Sequence, residues 1–288
     1  MQGTWKRMYG EESEENIRST IIQQLYCRGW LGLRQGIVYE EEANGLHLIE
    51  YEEFSLGKPS YMVLGLPDTG LVGVIASNHM VDSLGLKEVA GIDYVGVMPP
   101  IAVIREGNLR TPIRIFKGEG LLVVTAETPI PPSHMYQLTN FLVDYAQRKG
   151  VEYIISIVGI ATPNRMELPK PRVFWLAGND KARKLVEGLD IEMFSNGFLV
   201  GPYALILKNS VKRRIANLVL LAEAYIEFPD PEAAAEVAKL LSRVIGIDID
   251  VAKLLDQAEL IRLKLRELMR QTKQSMGEVR APSPLMYA

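Results

Sequence analysis

Two apolar runs set the terms for any fold this chain can adopt. Tyr61 to Leu66 is apolar throughout, Gly65 apart, and Val151 to Ile160 is rich in β-branched side chains. Neither keeps the alternation of a strand with one wet face, so each reads as a strand covered on both sides. Both are tied to helices. Pro67-Asp68-Thr69-Gly70 ends the first run and opens a helix of apolar and small residues to about Leu84. The second run follows a helix whose inward stripe is Leu138, Phe141, Leu142 and Tyr145, with Ser133 as the expected N-cap and Lys149-Gly150 as its end. Strands buried on both faces need a helical layer on each face, which predicts an α/β layered sandwich with a mixed, largely parallel sheet.

Further strands are expected at Leu46–Tyr51 (an edge), Ile92–Val97, Ile101–Arg105, Ile113–Phe116, Leu121–Ala126, Val173–Leu176 and Ala204–Leu207. The tight spacing between residues 92 and 126 leaves no room for helices, so that part of the sheet should be antiparallel or mixed. The last third reads as helical. One helix is expected from a cap at Asn209 or Ser210 to about Glu227, and a second from Pro229-Asp230-Pro231 to Gly246. A final helix from about Asp250 places Val251, Leu254, Ala258, Ile261, Leu265 and Leu268 at alternating steps of three and four. That seam packs either on its own domain or on another subunit, and the spacing alone does not choose. The expected organisation is an N-terminal arm over 1–45, an α/β core over 46–228, C-terminal helices over 229–276 and a flexible tail over 277–288. Within the arm, Asn16 to Gly29 has the pattern of a short amphipathic helix.

Composition narrows the function classes. With 48% apolar residues in 288 there is material for a large core, and a net charge of −3 does not suit a nucleic-acid binder, whose affinity rests on basic surface. The densest basic cluster, Lys208 with Lys212, Arg213 and Arg214, reads as a solvated helix face. Cys27 is the sole cysteine, so no intrachain disulfide can form. Met1 to Asn16 lacks the apolar core of a secretory signal, and the apolar stretches fall short of a bilayer span, so a cytoplasmic protein without membrane association is expected.

Catalytic motifs are hard to find. His47, His79 and His134 fall on separate elements without metal-ligand spacing, and no nucleophile elbow is present. Glu127 stands beside a Pro-rich loop without an identifiable partner. The glycine-rich turn Gly65 to Gly73 has neither dinucleotide nor P-loop spacing. It serves either anion binding or close approach of strand and helix. No cofactor, metal site or catalytic residue is expected. The end of the sequence is more specific: Met286 can fill an apolar recess, Tyr287 can donate a hydrogen bond, and the carboxylate of Ala288 can pair with a lysine.

Several segments, in this order, resemble the proteasome-assembly-chaperone family, most closely its archaeal branch. They are Gly65 to Gly73, Ile157 to Thr162, Asn196 to Tyr203, and Ala222 to Ala234. The likeness covers about residues 46–245. It implies a phosphorylase-like α/β fold, no established catalytic residues, and homo-oligomers, some of which activate the 20S core without ATP. It also implies that Met286-Tyr287-Ala288 is similar to the hydrophobic–Tyr–any termini that enter pockets between proteasome α-subunits. The expected function is therefore a non-enzymatic, homo-oligomeric 20S-binding protein, an assembly chaperone or an ATP-independent activator. Two other readings stand beside it: a nucleoside- or phosphate-binding enzyme of phosphorylase-like fold, and an adaptor for related family members whose tail is sequestered.

Overall fold

A computed structural model of the chain describes residues 36–97, 102–105 and 107–278. Cys27, the expected Asn16–Gly29 helix, Ile101 and the tail residues Met286, Tyr287 and Ala288 lie outside them. The described part opens with a hairpin of β1 (Tyr39–Ala43) and β2 (Leu46–Glu50), then β3 (Tyr61–Gly65), α1 (Val72–Ser83) and β4 (Lys87–Tyr94). A small hairpin, β5 (Val103–Arg105) and β6 (Asn108–Arg110), is followed by β7 (Ile113–Gly118), β8 (Leu121–Ala126), α2 (Met135–Arg148) and β9 (Tyr153–Ala161). Next come β10 (Val173–Ala177), α3 (Asp180–Arg183), β11 (Glu192–Met193), α4 (Pro202–Lys212) and β12 (Ala216–Ala224). The helices α5 (Pro231–Ile245), α6 (Ala252–Asp256) and α7 (Ala258–Glu278) complete it.

Ten strands form one sheet in the order β1-β2-β4-β7-β8-β3-β9-β12-β10-β11. Its centre, β8-β3-β9-β12, is parallel, as is the short β10-β11 pair. The remaining pairings are antiparallel and outnumber the parallel ones. The sheet is mixed as expected but less parallel, because the hairpin-connected strands extend it on one side. Alternate residues of the central strands feed two cores. Tyr61, Val63, Ile155, Ile157, Leu218 and Leu220 pack under α1 and α5, while Met62, Leu64, Ile154, Val158, Val219 and Leu221 pack under α2 and α4. Two buried faces explain why these strands show no alternation.

Several expectations need correction. Residues 204–207 lie in α4, not a strand, and Asn209 and Ser210 lie inside that helix rather than capping one. Residues 216–224, expected as helix, are β12, buried at every position between β9 and β10. Its Leu- and Ala-rich sequence has good helix propensity, which two-sided burial overrides. Arg214, at φ 60, turns the chain from α4 into this strand. Leu46–Glu50 is not an edge, since β1 covers it. Ser133 does not cap α2: a 3-10 turn at Pro132–His134 leads in, and the Ser133 hydroxyl meets His134 Nδ1 at 2.9 Å.

The C-terminal extension bends at Gln257, between α6 and α7. Leu254, Leu268 and Met269 are buried in the α1/α5 core, and Val251, Ile261 and Leu265 pack against it half-buried. Ion pairs of Arg262 with Glu232 and of Lys273 with Glu227 also tie α7 to the core. The described structure thus places most of the seam on its own chain.

Candidate functional site

The parallel strands deliver their C-terminal ends to one rim of the sheet, where the glycine-rich turn sits. After β3 the chain passes through Asp68 and Thr69, takes left-handed conformations at Gly70 (φ 65) and Leu71 (φ 51), and enters α1. Leu71 is fully buried, and a left-handed conformation in a bulky residue is uncommon and strained. The glycines are needed for contact. A Cβ on Gly65 would lie 2.1 Å from Ser77 Oγ, one on Gly73 2.7 Å from the Ile157 carbonyl, and one on Gly159 2.0 Å from the Thr69 carbonyl. Of the two readings of this turn, close approach of backbones is the one the geometry supports.

α4 sends Tyr203 under the same turn. Its hydroxyl accepts from Leu66 N–H at 2.7 Å and faces the carbonyls of Leu64 and Leu66 at 3.2 and 3.1 Å. Burial, and then the nearby Asp68, push its phenol well above the usual range, so it remains a donor. Asp68 is 5% exposed, its Oδ2 accepts from Gly159 N–H at 2.9 Å, and its Oδ1 is buried without a partner. Burial raises this carboxyl well above the usual range, and the Gly159 N–H only partly offsets it. A buried carboxyl at the turn, bonded to Gly159 N–H, gives no support to a phosphate site here.

The shift at Asp68 predicts a pH dependence. The unfolded carboxyl ionises near pH ~3.9, the folded one later. Stability from this group is complete below the unfolded value and is lost as pH rises through the folded one. Asp68→Asn keeps an acceptor for Gly159 N–H and cannot ionise. It is expected to melt higher than the parent at about pH 8 and to narrow the gap between about pH 5 and pH 8. Parallel melting curves for the two proteins would show that Asp68 does not carry the charge cost.

Beside the turn lies a second polar cluster. Arg165, 1% exposed, reaches Asp230 through Nε at 2.9 Å and Glu232 through Nη2 at 2.8 Å. Its guanidinium also lies over the Tyr225 ring, 4.8 Å from the centroid. Asp230 is fully buried, caps α5 through Ala233 N–H, accepts from Tyr225 N–H, and donates its own N–H to the Gly70 carbonyl. Burial raises its carboxyl, with the Ala233 N–H and Arg165 opposing. Glu232 continues to Arg262 on α7 at 3.4 Å. The rim of the sheet, the cap of α5 and the C-terminal extension are therefore one connected network. Pro229-Asp230-Pro231 signals the cap in the sequence, but nothing local marks Arg165 as its partner.

The other sequence candidates stay apart. His47 pairs with Glu40, His79 Nε2 meets the Asp250 carbonyl at 2.6 Å, and His134 packs edge-on to Tyr94. Among the described residues no group of His, Cys, Asp or Glu has the arrangement of a metal site, and no helix is long and apolar enough to cross a membrane. Glu127 pairs with Arg105 and Arg114. Lys208, Lys212, Arg213 and Arg214 fall at the end of α4 and just beyond it, and Arg213 pairs with Asp144. Of the seam, Leu254 and Leu268 are buried, and Val251, Ala258, Ile261 and Leu265 are half-buried.

Comparison with known proteins agrees with this architecture. Pyrococcus furiosus PbaA, an archaeal homologue of proteasome-assembly chaperone, superposes with a TM-score of 0.73 at 26% identity, over 80% of this chain and 99% of its own. Pyrococcus furiosus PbaB, an archaeal proteasome activator, shares the fold with a TM-score of 0.66 at 23% identity, over 78% and 99% of the two chains. An uncharacterized protein of Methanocaldococcus jannaschii is 26% identical over 226 residues, 78% of this chain and 91% of its own. The PAC2 family model matches residues 62–269, from β3 into α7 and including both polar clusters. This chain belongs to the PAC2 family.

Proposed function

We propose that the chain is a homo-oligomeric protein that docks Met286, Tyr287 and Ala288 onto α-subunits of a 20S proteasome, as assembly chaperone or ATP-independent activator. Membership of a family with proteasome-related homologues supports the partner. The placement of α7 carries the reading. This helix of 21 residues, roughly 32 Å long, is anchored by Leu268 and Met269 and directly precedes the ten residues that end in the motif. A three-residue ligand buries little surface, so one copy binds weakly, while several copies on one oligomer gain about 10²–10⁴ in avidity. Opening of the gate follows only if the tails prefer the open α-ring. In this reading the subunit contact uses the half-buried part of the seam, Val251, Ala258, Ile261 and Leu265, with Leu255, Leu260 and Leu263 exposed beside it. The buried Leu254 and Leu268 hold the extension in place from within.

Co-sedimentation with 20S particles tests the tail. Deleting Met286–Ala288, changing Tyr287→Ala, or adding two residues after Ala288 should each abolish co-sedimentation while light scattering reports an unchanged oligomer. Undiminished binding by the truncated chain would reject the tail as the ligand. Peptide hydrolysis by the mixed particles then separates activation from assembly without gate opening.

A further inference from the structure

Among the described residues β1 is hydrogen-bonded only to β2, which ends the sheet on that side. The outer edge of such a strand presents main-chain N–H and C=O groups that accept an added strand. β1 reads Tyr-Glu-Glu-Glu-Ala, with Tyr39, Glu40 and Glu42 exposed. Charge of one sign on an edge repels an identical edge, so this strand disfavours pairing with its own copy and favours a chain of opposite charge.

A groove of about 690 Å³ adjoins this edge, between the hairpin and α2. The pleat turns Glu41 and Ala43 toward it, since Ala43 stands opposite Leu46 of the α2-side core. Its walls carry four carboxamides, Asn44, Gln137, Asn140 and Gln147. Each offers an acceptor and two donors, the complement of a peptide main chain. The Oε1 of Gln137 is buried without a partner, whereas buried acceptors are nearly always bonded. Tyr136, 60% exposed, adds an aromatic surface. Two acids of the groove are already matched, Glu41 by Arg148 at 2.6 Å and Asp144 by Arg213. Glu42 has no ion-pair partner among the described residues, so the edge keeps unmatched negative charge.

We infer that this edge and groove bind an extended segment of another polypeptide bearing lysine or arginine, added as a strand to β1. The main chain pairs with β1, inward side chains enter the amide-lined groove, and basic side chains meet the acidic edge. The site is independent of residues 286–288, so the chain truncated after Leu285 should bind equally well.

Fluorescence anisotropy with the full chain tests it, using three labelled peptides of alternating residues: lysine/valine, glutamate/valine, and lysine/valine N-methylated at every second residue. The lysine/valine peptide should bind saturably and the glutamate/valine peptide should not. N-methylation, which removes ladder donors, should weaken binding about tenfold or more. Glu42→Lys should weaken the preference for the lysine/valine peptide, and Asn140→Trp should block the groove, both with unchanged melting temperature. Equal affinity for the methylated peptide would overturn strand addition and leave only charge attraction. Indifference to peptide charge, or no binding of the lysine/valine peptide at millimolar concentration, would overturn the site.

Discussion

Gly159→Ala is expected to cost roughly 3 kcal/mol or more of folding stability, although it adds one methyl group to a strand. In an ordinary strand interior the change would stabilise slightly, because alanine loses less backbone freedom on folding. Here the new carbon would lie 2.0 Å from the Thr69 carbonyl oxygen, and Val72 closes the other side at 3.2 Å. The obstacle is backbone, so no rotamer change relieves it. The Gly159 N–H also holds Asp68, so displacing the strand breaks that bond too. For a chain of this size the loss corresponds to a fall in Tm of about 2–4 °C per kcal/mol. Gly85→Ala is the control. Gly85 has φ 59 but open space around its Cβ position, so only conformational strain of ~1 kcal/mol is expected. Equal melting of the two variants would show that the turn yields and that α1 is not pinned to β9.

Arg165→Met is expected to destabilise by about 3–5 kcal/mol, because it strands the fully buried Asp230 carboxylate. Methionine keeps the unbranched apolar stem but ends short of the guanidinium group, so the lost charge pairing is the larger effect and the lost volume adds to it. Burial opposes the Arg165 charge, and Asp230 and Glu232 more than offset it, so the guanidinium is raised above its ordinary range. Arg165→Lys should rescue little, since one ammonium cannot reach both carboxylates as the planar fork does. Asp230→Asn keeps a cap for α5 and removes the charge. The double variant Arg165→Met/Asp230→Asn should therefore be more stable than Arg165→Met alone, with a coupling of about 1–3 kcal/mol in denaturant unfolding. Strict additivity would mean that the pair does not hold the rim together. Because Glu232 links Arg165 to Arg262, the single variant should also speed amide exchange in the first turns of α7.

Residue patterns made much of this architecture legible. The helix start at Pro229-Asp230-Pro231, the stop at Gly246 and the stripe of α2 are local signals, and the structure places each where it was expected. The elements misread are those whose identity is not local. A run such as Ala216–Ala224 is apolar on both faces, so it has no period to distinguish strand from helix, and its leucines and alanines favour the wrong answer. In α4, Pro202 at the first turn was an available signal for the helix, outweighed by the short apolar run that follows it. The polar network was legible only in part, since Arg165 and Asp230 are 65 residues apart.

By itself, the sequence determined the layered α/β class, the positions of three of the four central parallel strands (β3, β8 and β9) and of most helices, and a glycine-rich turn between β3 and α1. These follow from hydrophobic period, caps and turn residues, which act within a few positions along the chain. Only the tertiary structure decided that β12 is a strand, that among the described residues β1 forms the edge beside a groove, that a buried arginine joins the rim to the C-terminal extension, and that Leu254 and Leu268 of the seam are buried in their own core. Each of these depends on which distant surfaces are brought together, and burial and pairing energies of that origin exceed the local preferences that a residue pattern records.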